Sequence, residues 1–149
     1  MSKPKSRYGC SLLPYERTDV LSVFEATQKA GWMISSFNLP DAWQKSQGEG
    51  VKVAVLDTGC DLDHPDLVKN LLPGYNVINP SLPPNDDQGH GSHCAGIIAA
   101  ENNEIGMVGV APKAKIIPIK CLDSSGNGNL ANVAKAIMIA ISMQADIIT

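Results

Sequence analysis

Three short apolar runs have the pattern of strands in a parallel sheet. Residues 51–56 are rich in valine and are bounded by glycines, which predicts a strand buried on both faces. Residues 116–122 form a second predicted strand, and Pro118 removes one backbone donor from it. We therefore expect a bulge or a locally unpaired point at this proline. A third strand is predicted at residues 145–149.

Helical spacing is clearest over residues 130–143, after a turn and cap sequence rich in asparagine and glycine. The positions that recur there at helical spacing are Leu130, Val133, Ala134, Ile137, Met138 and Ile141. Residues 90–100 predict a helix that contains many small residues. Shorter helices are predicted at residues 19–30, capped by Asp19, and at residues 40–45, where a proline suits the first turn.

The alternation of strands and helices predicts an α/β fold, with a parallel sheet flanked by helices. Residues 1–18 contain prolines and glycine without a sustained period, so we interpret them as an N-terminal arm. Residues 19–149 form the rest of the chain, in which the sheet is expected to be incomplete at the C-terminus.

Composition narrows the class of protein. The chain has 149 residues, of which 44% are hydrophobic and 18% charged, as in globular domains. A net charge of −3 gives no indication of a nucleic-acid partner. The longest strongly apolar stretch, residues 136–141, is far shorter than the roughly 18 residues of a membrane span. No apolar segment follows the basic N-terminus, so we expect no secretory signal and a cytoplasmic location.

Four cysteines, Cys10, Cys60, Cys94 and Cys121, are separated by 50, 34 and 27 residues. These spacings match no zinc or redox motif. We expect free thiols in a reducing compartment, and a disulfide is the alternative.

Two residues are candidates for chemistry. Asp57 directly follows the first predicted strand, and ligands of open α/β sheets bind beyond the carboxyl ends of strands. His90 begins the helix of small residues and could act as a general base beside a carboxylate. The structural alternatives are a turn aspartate, and a pair of core histidines formed by His90 and His93.

Together these segments resemble the subtilisin-like serine proteases, in the style of the intracellular subtilisins. The resemblance rests on residues 53–59 (Val-Ala-Val-Leu-Asp-Thr-Gly), 64–67 (His-Pro-Asp-Leu) and 89–93 (Gly-His-Gly-Ser-His). It continues through the loop at residues 102–112 and through Lys120-Cys121-Leu122. The aspartate precedes the histidine, which is that family's order.

The resemblance implies that Asp57 orients the imidazole of His90, which serves as base towards a serine hydroxyl and then as acid towards the leaving amine. The family's serine lies in a Gly-Thr-Ser-Met type of motif, which the sequence does not contain. We therefore interpret residues 19–149 as the N-terminal portion of a subtilisin-like peptidase domain, from a serine endopeptidase acting on extended polypeptides. Alone, it is expected to be inactive.

The resemblance also implies how substrate is held. Gly126 and Gly128 match the segment that pairs with an extended polypeptide substrate. Leu122 and Leu130 would line the pocket for a substrate side chain. In the arm, residues 12–15 (Leu-Leu-Pro-Tyr) resemble the pro-segment of intracellular subtilisins. The protein's own pro-segment is thus an expected partner of its active site.

A structural Ca²⁺ site is the cofactor that the resemblance implies. Carboxylate, amide and backbone carbonyl oxygens are suitable ligands for this ion. The matching residues are Asp66 and Asn103 through their side chains and Glu101, Ile105 and Met107 through their carbonyl groups. Gln28 is a weaker candidate ligand.

Cys94 stands where valine is commoner in the family. In this it resembles the proteinase K branch, in which a thiol lies beneath the histidine.

Two alternative functions remain open. A non-catalytic module that binds or inhibits peptides is one of them. A metal hydrolase is another, and its candidate ligands are Asp61, Asp63, His64, His90 and His93.

Overall fold

The computed structural model describes residues 9–11, residue 28 and residues 30–149. Six strands and four helices are found in this part of the chain. In order they are β1 (Gly9–Ser11), α1 (Trp32–Ser36), α2 (Leu39–Trp43), β2 (Lys52–Asp57), β3 (Tyr75–Asn76), α3 (His90–Ala99), β4 (Lys115–Lys120), β5 (Asn127–Asn129), α4 (Leu130–Ser142) and β6 (Ile147–Ile148).

The main sheet has four parallel strands in the order β3-β4-β2-β6. Strands β2 and β4 form its centre and pair without interruption from Lys52 opposite Lys115 to Asp57 opposite Lys120. Both strands therefore end at the same edge, where ligands of such sheets bind.

Helices α3 and α4 cover opposite faces of this sheet. Successive side chains of a strand point to opposite faces, and in β2 Val53 and Val55 belong to one buried cluster while Ala54 belongs to the other. Helix α3 contributes Ala95 and Ala99 to the first cluster, and α4 contributes small residues to the second. The predicted α/β fold with a flanked parallel sheet is confirmed.

Pro118 lies at a locally unpaired point, which is one of the two outcomes expected for it. Strand β4 has no bulge towards β2, where Val55 pairs with Pro118. On its other side, Ile116 N donates to Asn70 O, and β3 pairs only with Ile119 and Lys120. The proline nitrogen, two residues after Ile116, faces the gap between these contacts.

The predicted strands at 51–56, 116–122 and 145–149 correspond to β2, β4 and β6, and the predicted helices at 90–100 and 130–143 correspond to α3 and α4. The helix expected at 40–45 begins one residue earlier, at Leu39. The helix expected at 19–30 lies almost wholly outside the described residues. Helix α1 and strands β1 and β3 were not predicted, whereas β5 lies in the segment of Gly126 and Gly128 that the resemblance implied to be strand-like.

A small third cluster holds α1 and α2 against the domain. Ile34, Leu39 and Val108 are buried in it, and Trp43 donates a hydrogen bond to Val110 O at 2.8 Å. Within the described residues, no helix has the length and apolar character required to span a bilayer. Cys60, Cys94 and Cys121 are thiols rather than disulfides, as predicted for them.

Candidate active site

Asp57 and His90 meet at the carboxyl end of the sheet. His90 Nδ1 lies 2.8 Å from one carboxylate oxygen of Asp57 and 3.0 Å from the other. Asp57 is 7% exposed, and the His90 side chain is 25% exposed. The carboxylate is thus enclosed, while part of the imidazole faces solvent.

The local sequence explains this contact. Asp57 is the last residue of β2, and His90 is the first residue of α3. Gly91 lets the helix approach the strand closely, because a Cβ atom there would lie 2.0 Å from Gly59 O. The small residue next to His90 therefore sets the separation of the two side chains.

Asp86 organises the beginning of α3. Its carboxylate accepts hydrogen bonds from Gly89 N at 2.8 Å and from Ser92 Oγ at 2.6 Å. It also accepts one from Thr58 Oγ1 at 2.8 Å, and Thr58 Oγ1 in turn accepts one from Gly91 N at 3.0 Å. These bonds fix the turns on both sides of the Asp57–His90 pair.

The same bonds control the charge of Asp86. Burial raises the pKa of its carboxyl group, but hydrogen bonds from Ser92, Gly89 and Gln88 outweigh burial and lower the pKa to about 2. Asp86 is therefore an anion at neutral pH. Its negative charge is favourable at the start of the helix, where the backbone N–H groups have no acceptor within the helix itself.

Cys94 lies one helical turn after His90, and its Sγ is 3.6 Å from His90 Nδ1 and 3.9 Å from Nε2. Burial raises the pKa of this thiol to about 11, and the charges of Asp57 and Asp86 add to the rise. At neutral pH the neighbour of the imidazole is therefore a neutral thiol.

The candidate ligands of the alternative metal hydrolase do not come together around one metal position. Among the described residues, the one group of three or more histidine, cysteine or acidic ligand atoms is Asp57, His90 and Cys94. His93 is exposed on the outer side of α3, and His64 Nδ1 instead accepts a hydrogen bond from Asp66 N.

The predicted substrate residues lie along the segment that follows β4. Gly128 lies in the middle of β5, which pairs antiparallel with β1 of the N-terminal arm. It also borders a shallow depression of about 310 Å³. Gly126 is buried, Leu130 is exposed, and Leu122 packs in the core on the α4 face. Neither leucine lines the depression, and their assignment to a substrate pocket stays a prediction.

The predicted Ca²⁺ ligands come from two loops that the structure brings together. Asn103 Nδ2 donates to Asp66 Oδ1 at 3.1 Å, and Met107 N donates to Asp66 Oδ2 at 3.1 Å. Gln28 Nε2 donates to Glu101 O at 2.5 Å and lies 3.4 Å from Met107 O. Ile105 belongs to the same loop, where its N–H donates to Asn103 Oδ1.

Gly106 shapes this cluster of oxygens. It has a φ of +54°, and a Cβ atom there would lie 2.0 Å from Asp66 Oδ2. The backbone of the 101–107 loop is thus close against a carboxylate that is 5% exposed. Carboxylate and backbone carbonyl oxygens come together here, and these are ligand types that fit Ca²⁺.

Sequence reasoning missed Asp86, Thr58 and Lys120 as parts of the site. Thr58 and Lys120 were quoted within motifs but given no role. Lys120 is buried and donates to Thr58 O and Asp87 Oδ1, each at 2.6 Å. A lysine within an otherwise apolar strand was the signal that could have identified it.

Comparison with known proteins agrees with the motifs. A profile of the subtilase family matches residues 48–149. An intracellular serine protease of Paenibacillus polymyxa is 44% identical over 121 residues, which cover 78% of this chain and 37% of the relative. Thermitase of Thermoactinomyces vulgaris is 41% identical, covering 74% of this chain and 40% of the relative. Subtilisin Savinase of Lederbergia lenta is 43% identical with the same coverage.

The chain spans 37–40% of the length of these three relatives. The family match includes Asp57, His90 and the whole parallel sheet described above. Sequence motifs, fold and similarity therefore agree, and the chain belongs to the subtilase family.

Proposed function

We propose that this chain supplies two residues of the catalytic triad of a serine endopeptidase that hydrolyses extended polypeptides. The observation that carries the proposal is the 2.8 Å contact between His90 Nδ1 and Asp57 at the end of the sheet. The relative from Paenibacillus polymyxa is named as a serine protease, which supports the reaction class. The Gly-Thr-Ser-Met type of motif that would carry the triad serine does not occur in these 149 residues.

The contact dictates the division of roles. An ionised carboxylate only accepts hydrogen bonds, so Nδ1 carries the proton and Nε2 keeps its lone pair. His90 Nε2 takes the proton of the serine hydroxyl and later delivers it to the leaving amine. Asp57 holds the ring in this tautomer and stabilises the imidazolium that forms.

The test is a chimera that joins this chain to the part of thermitase beyond the matched segment. We expect it to hydrolyse a chromogenic peptide. His90→Ala should lower kcat/KM by about 10⁴-fold or more, as expected for loss of a triad base. His93→Ala is the matched control, because this exposed histidine lies on the same helix. Equal losses in both variants, or activity without His90, would contradict the proposal.

The N-terminal arm, residues 1–18, is proposed to act as a pro-segment. The pairing of Gly9–Ser11 with Asn127–Asn129 supports this role, since β5 belongs to the segment that resembles the substrate-binding strand. An arm paired there would occupy the edge to which a substrate backbone would add. The Leu-Leu-Pro-Tyr motif itself lies outside the described residues.

A structural Ca²⁺ is proposed to bind between the 66 and 101–107 loops. Asp66 would provide its carboxylate, and Glu101, Ile105 and Met107 their carbonyl oxygens. The side-chain amide nitrogens of Gln28 and Asn103 now point at these oxygens, and rotation of each amide by half a turn would present oxygen instead. The ion would stabilise the loops without taking part in the reaction.

A cytoplasmic location is also proposed. It is supported by the similarity to a relative named as an intracellular serine protease and by three described cysteines that are thiols. Fractionation of producing cells, with immunodetection of the protein, tests it. Recovery in the medium would contradict the proposal.

A further inference from the structure

Lys120 carries a buried charge to which the proposed reaction assigns no task. It ends β4, in register with Asp57 of β2, and its side chain is 7% exposed. Lysine is almost never fully buried unless its charge is paired. Lys120 is the one buried lysine of the described part of the chain, so its position beside the candidate active site needs a reason.

The ammonium group of Lys120 has three acceptors, which match its three N–H donors. Nζ donates to Thr58 O at 2.6 Å, to Asp87 Oδ1 at 2.6 Å and to Leu122 O at 3.1 Å. Two of these acceptors, those of Thr58 and Leu122, are backbone carbonyl groups. Hydrogen bonds to them hold the backbone itself in place, which a bond to a mobile side chain would not do.

The three acceptors belong to the three segments that build the site. Thr58 follows Asp57 directly, and Asp87 is in the loop that leads from Asp86 to His90. Leu122 precedes the segment that contains β5. A single side chain therefore joins the carboxylate strand, the histidine loop and the beginning of the substrate strand.

Backbone bonds complete this connection on the other side. Cys121 N and Leu122 N both donate to Asp57 O, at 2.9 and 3.1 Å. The carbonyl oxygen of Asp57 is thus held by the substrate segment, while Lys120 holds the next carbonyl group along the chain, that of Thr58. Asp57 has its backbone fixed from both directions.

The chemistry of lysine suits this task. An apolar side chain of the same length would leave the carbonyl groups of Thr58 and Leu122 without their donor in a buried place. An arginine would present a planar fork instead of three tetrahedral donors. The Asp87 carboxylate offsets the charge of the buried ammonium group.

We propose that Lys120 is a positioning residue that maintains the Asp57–His90 hydrogen bond and fixes β5 relative to it. The inference rests on the proposed function, because it assigns to Lys120 the alignment of that triad pair with the substrate strand. The three acceptors of Lys120 Nζ are Thr58 O, Asp87 Oδ1 and Leu122 O, none of which is a reacting atom.

The experiment follows the Nδ1 proton of His90 by NMR in the ¹⁵N-labelled chain of 149 residues. A proton held between an imidazole and a carboxylate gives a separate low-field signal. Lys120→Met should lose this signal, because the loop that carries His90 and the strand that carries Asp57 are no longer joined. The amide signals of residues 127–129 should shift in the same variant.

Lys115→Met is the matched control. Lys115 begins the same strand, and its Nζ also donates to a backbone carbonyl, Lys69 O, and to a side-chain oxygen, that of Asn70. It lies at the opposite end of the sheet from Asp57. We expect this variant to lose stability and to keep the His90 signal, which separates positioning from a general structural effect.

Asp87→Ala provides a second test if Lys120→Met does not fold. The Asp87 side chain is 53% exposed, so its removal disturbs no core, yet it takes away one of the three acceptors. A weakened His90 signal in this variant supports the inference. An unchanged signal in both Asp87→Ala and Lys120→Met, or equal loss in Lys115→Met, overturns it.

Hydrolysis by the chimera reports on the proposed function separately. In the chimera, Lys120→Met should lower kcat and raise KM together, since both the triad and the substrate strand depend on it. A chimera that shows no hydrolysis even with Lys120 would contradict the proposed function, while the His90 spectra still decide on Lys120.

Discussion

At the scale of single residues, the site depends on the absence of a side chain at one glycine as much as on the chemical groups of its aspartate and histidine. Gly91 is the example, since the helix that presents His90 lies so close to Gly59 O that no Cβ atom fits between them. Because the backbone of α3 lies close to the segment that follows β2, the side chains of Asp57 and His90 reach each other directly. The geometry of the Asp57–His90 pair should therefore be sensitive to one added carbon.

Gly91→Ala is expected to destabilise the chain by about 1–3 kcal/mol through overpacking. Gly96→Ala is the control on the same helix, because nothing lies within 4 Å of its added Cβ atom. This second variant should be stabilised by about 0.5–1 kcal/mol, since alanine is the better helix former. Urea unfolding measures both, and similar effects of the two substitutions would refute the packing argument.

The two candidate triad residues were predictable because each combines a chemical group with a position. Asp57 follows a recognisable buried strand, and His90 opens a helix of small residues. The roles of Asp86 and Lys120 were not predictable in the same way. Asp86 has nearby partners in Gly89 and Ser92, but both Asp86 and Lys120 also bind Thr58, which is distant in sequence. No local spacing reveals these long-range contacts.

At the scale of elements, α3 and α4 share a way of packing on the sheet. The buried residues of α3 are Gly91, Ala95 and Ala99, and those of α4 are Ala136 and Ala140. Each set recurs every four residues, so both helices place a stripe of small residues against the strands. Helix α3 can thus bring its first residue close to the end of β2.

The apolar period predicted helix α4 correctly but not which of its faces is buried. Met138 and Ile141 are 66% and 58% exposed, whereas Ala136 and Ala140 are fully buried. Amphipathicity identifies a helix by its large apolar residues. Close packing against a sheet favours small residues, and the apolar period does not show which face of the helix will pack in this way.

Strand β3 and helix α1 were missed for a different reason. They have two and five residues, too few to display a period. Pairing with β4 in one case and packing of Ile34 with Val108 in the other hold them in place. These contacts are non-local, so tertiary structure rather than local propensity defines both elements.

The N-terminal turn of α3 predicts a specific dependence of stability on pH. The pKa of Asp86 is about 2 in the folded chain, below its ordinary value of 3.8. Its contribution of about 2 kcal/mol is complete above pH 3.8 and is lost as the pH falls towards 2. The free energy of unfolding of Asp86→Asn should fall less steeply over this range.

Urea titrations at several pH values between 5 and 2 provide the measurement. Asp63→Asn, an exposed site in a nearby turn, should retain the pH dependence of the unaltered chain. Apart from Asp63 and Asp86, the ionisable groups are the same in all three proteins, so a change of pH dependence confined to Asp86→Asn isolates Asp86. Parallel curves for the unaltered chain and Asp86→Asn would contradict the prediction.

The loops around Asp66 predict a response to calcium. Ca²⁺ should raise the thermal midpoint, because binding to the folded state alone adds about 2.7 kcal/mol at 100 times the dissociation constant. Mg²⁺ should do less, since it requires a smaller and more regular set of ligands. Asp66→Asn should abolish the rise and Asp63→Asn should not. A chelator without effect on calcium-loaded protein would contradict the proposed site.

At the scale of the whole molecule, the two sheets have different tasks. The four parallel strands hold Asp57 and the helix of His90, whereas β1 and β5 form a separate antiparallel pair. Pairing of β1 with β5 joins the N-terminal arm to the segment that resembles the substrate-binding strand, and Cys10 lies opposite Gly128. Nothing in the period or composition of residues 9–11 predicts this strand.

Deletion of residues 1–18 tests the role of this pair. In the chimera, the shortened protein should hydrolyse peptide faster and bind a peptide inhibitor more tightly, because the edge of β5 becomes available. A synthetic peptide of residues 1–18 added back should restore inhibition, and a scrambled peptide should not. Unchanged rates after deletion would count against a pro-segment.

Since β1 and β5 lie in one polypeptide, their association is intramolecular and does not weaken on dilution. A tethered strand meets its partner at an effective concentration on the order of millimolar. A free polypeptide that competes for the same edge must overcome that local excess, whatever the amount of protein in the cell. Occupancy of β5 should therefore be released by cutting the tether rather than by the abundance of competitors.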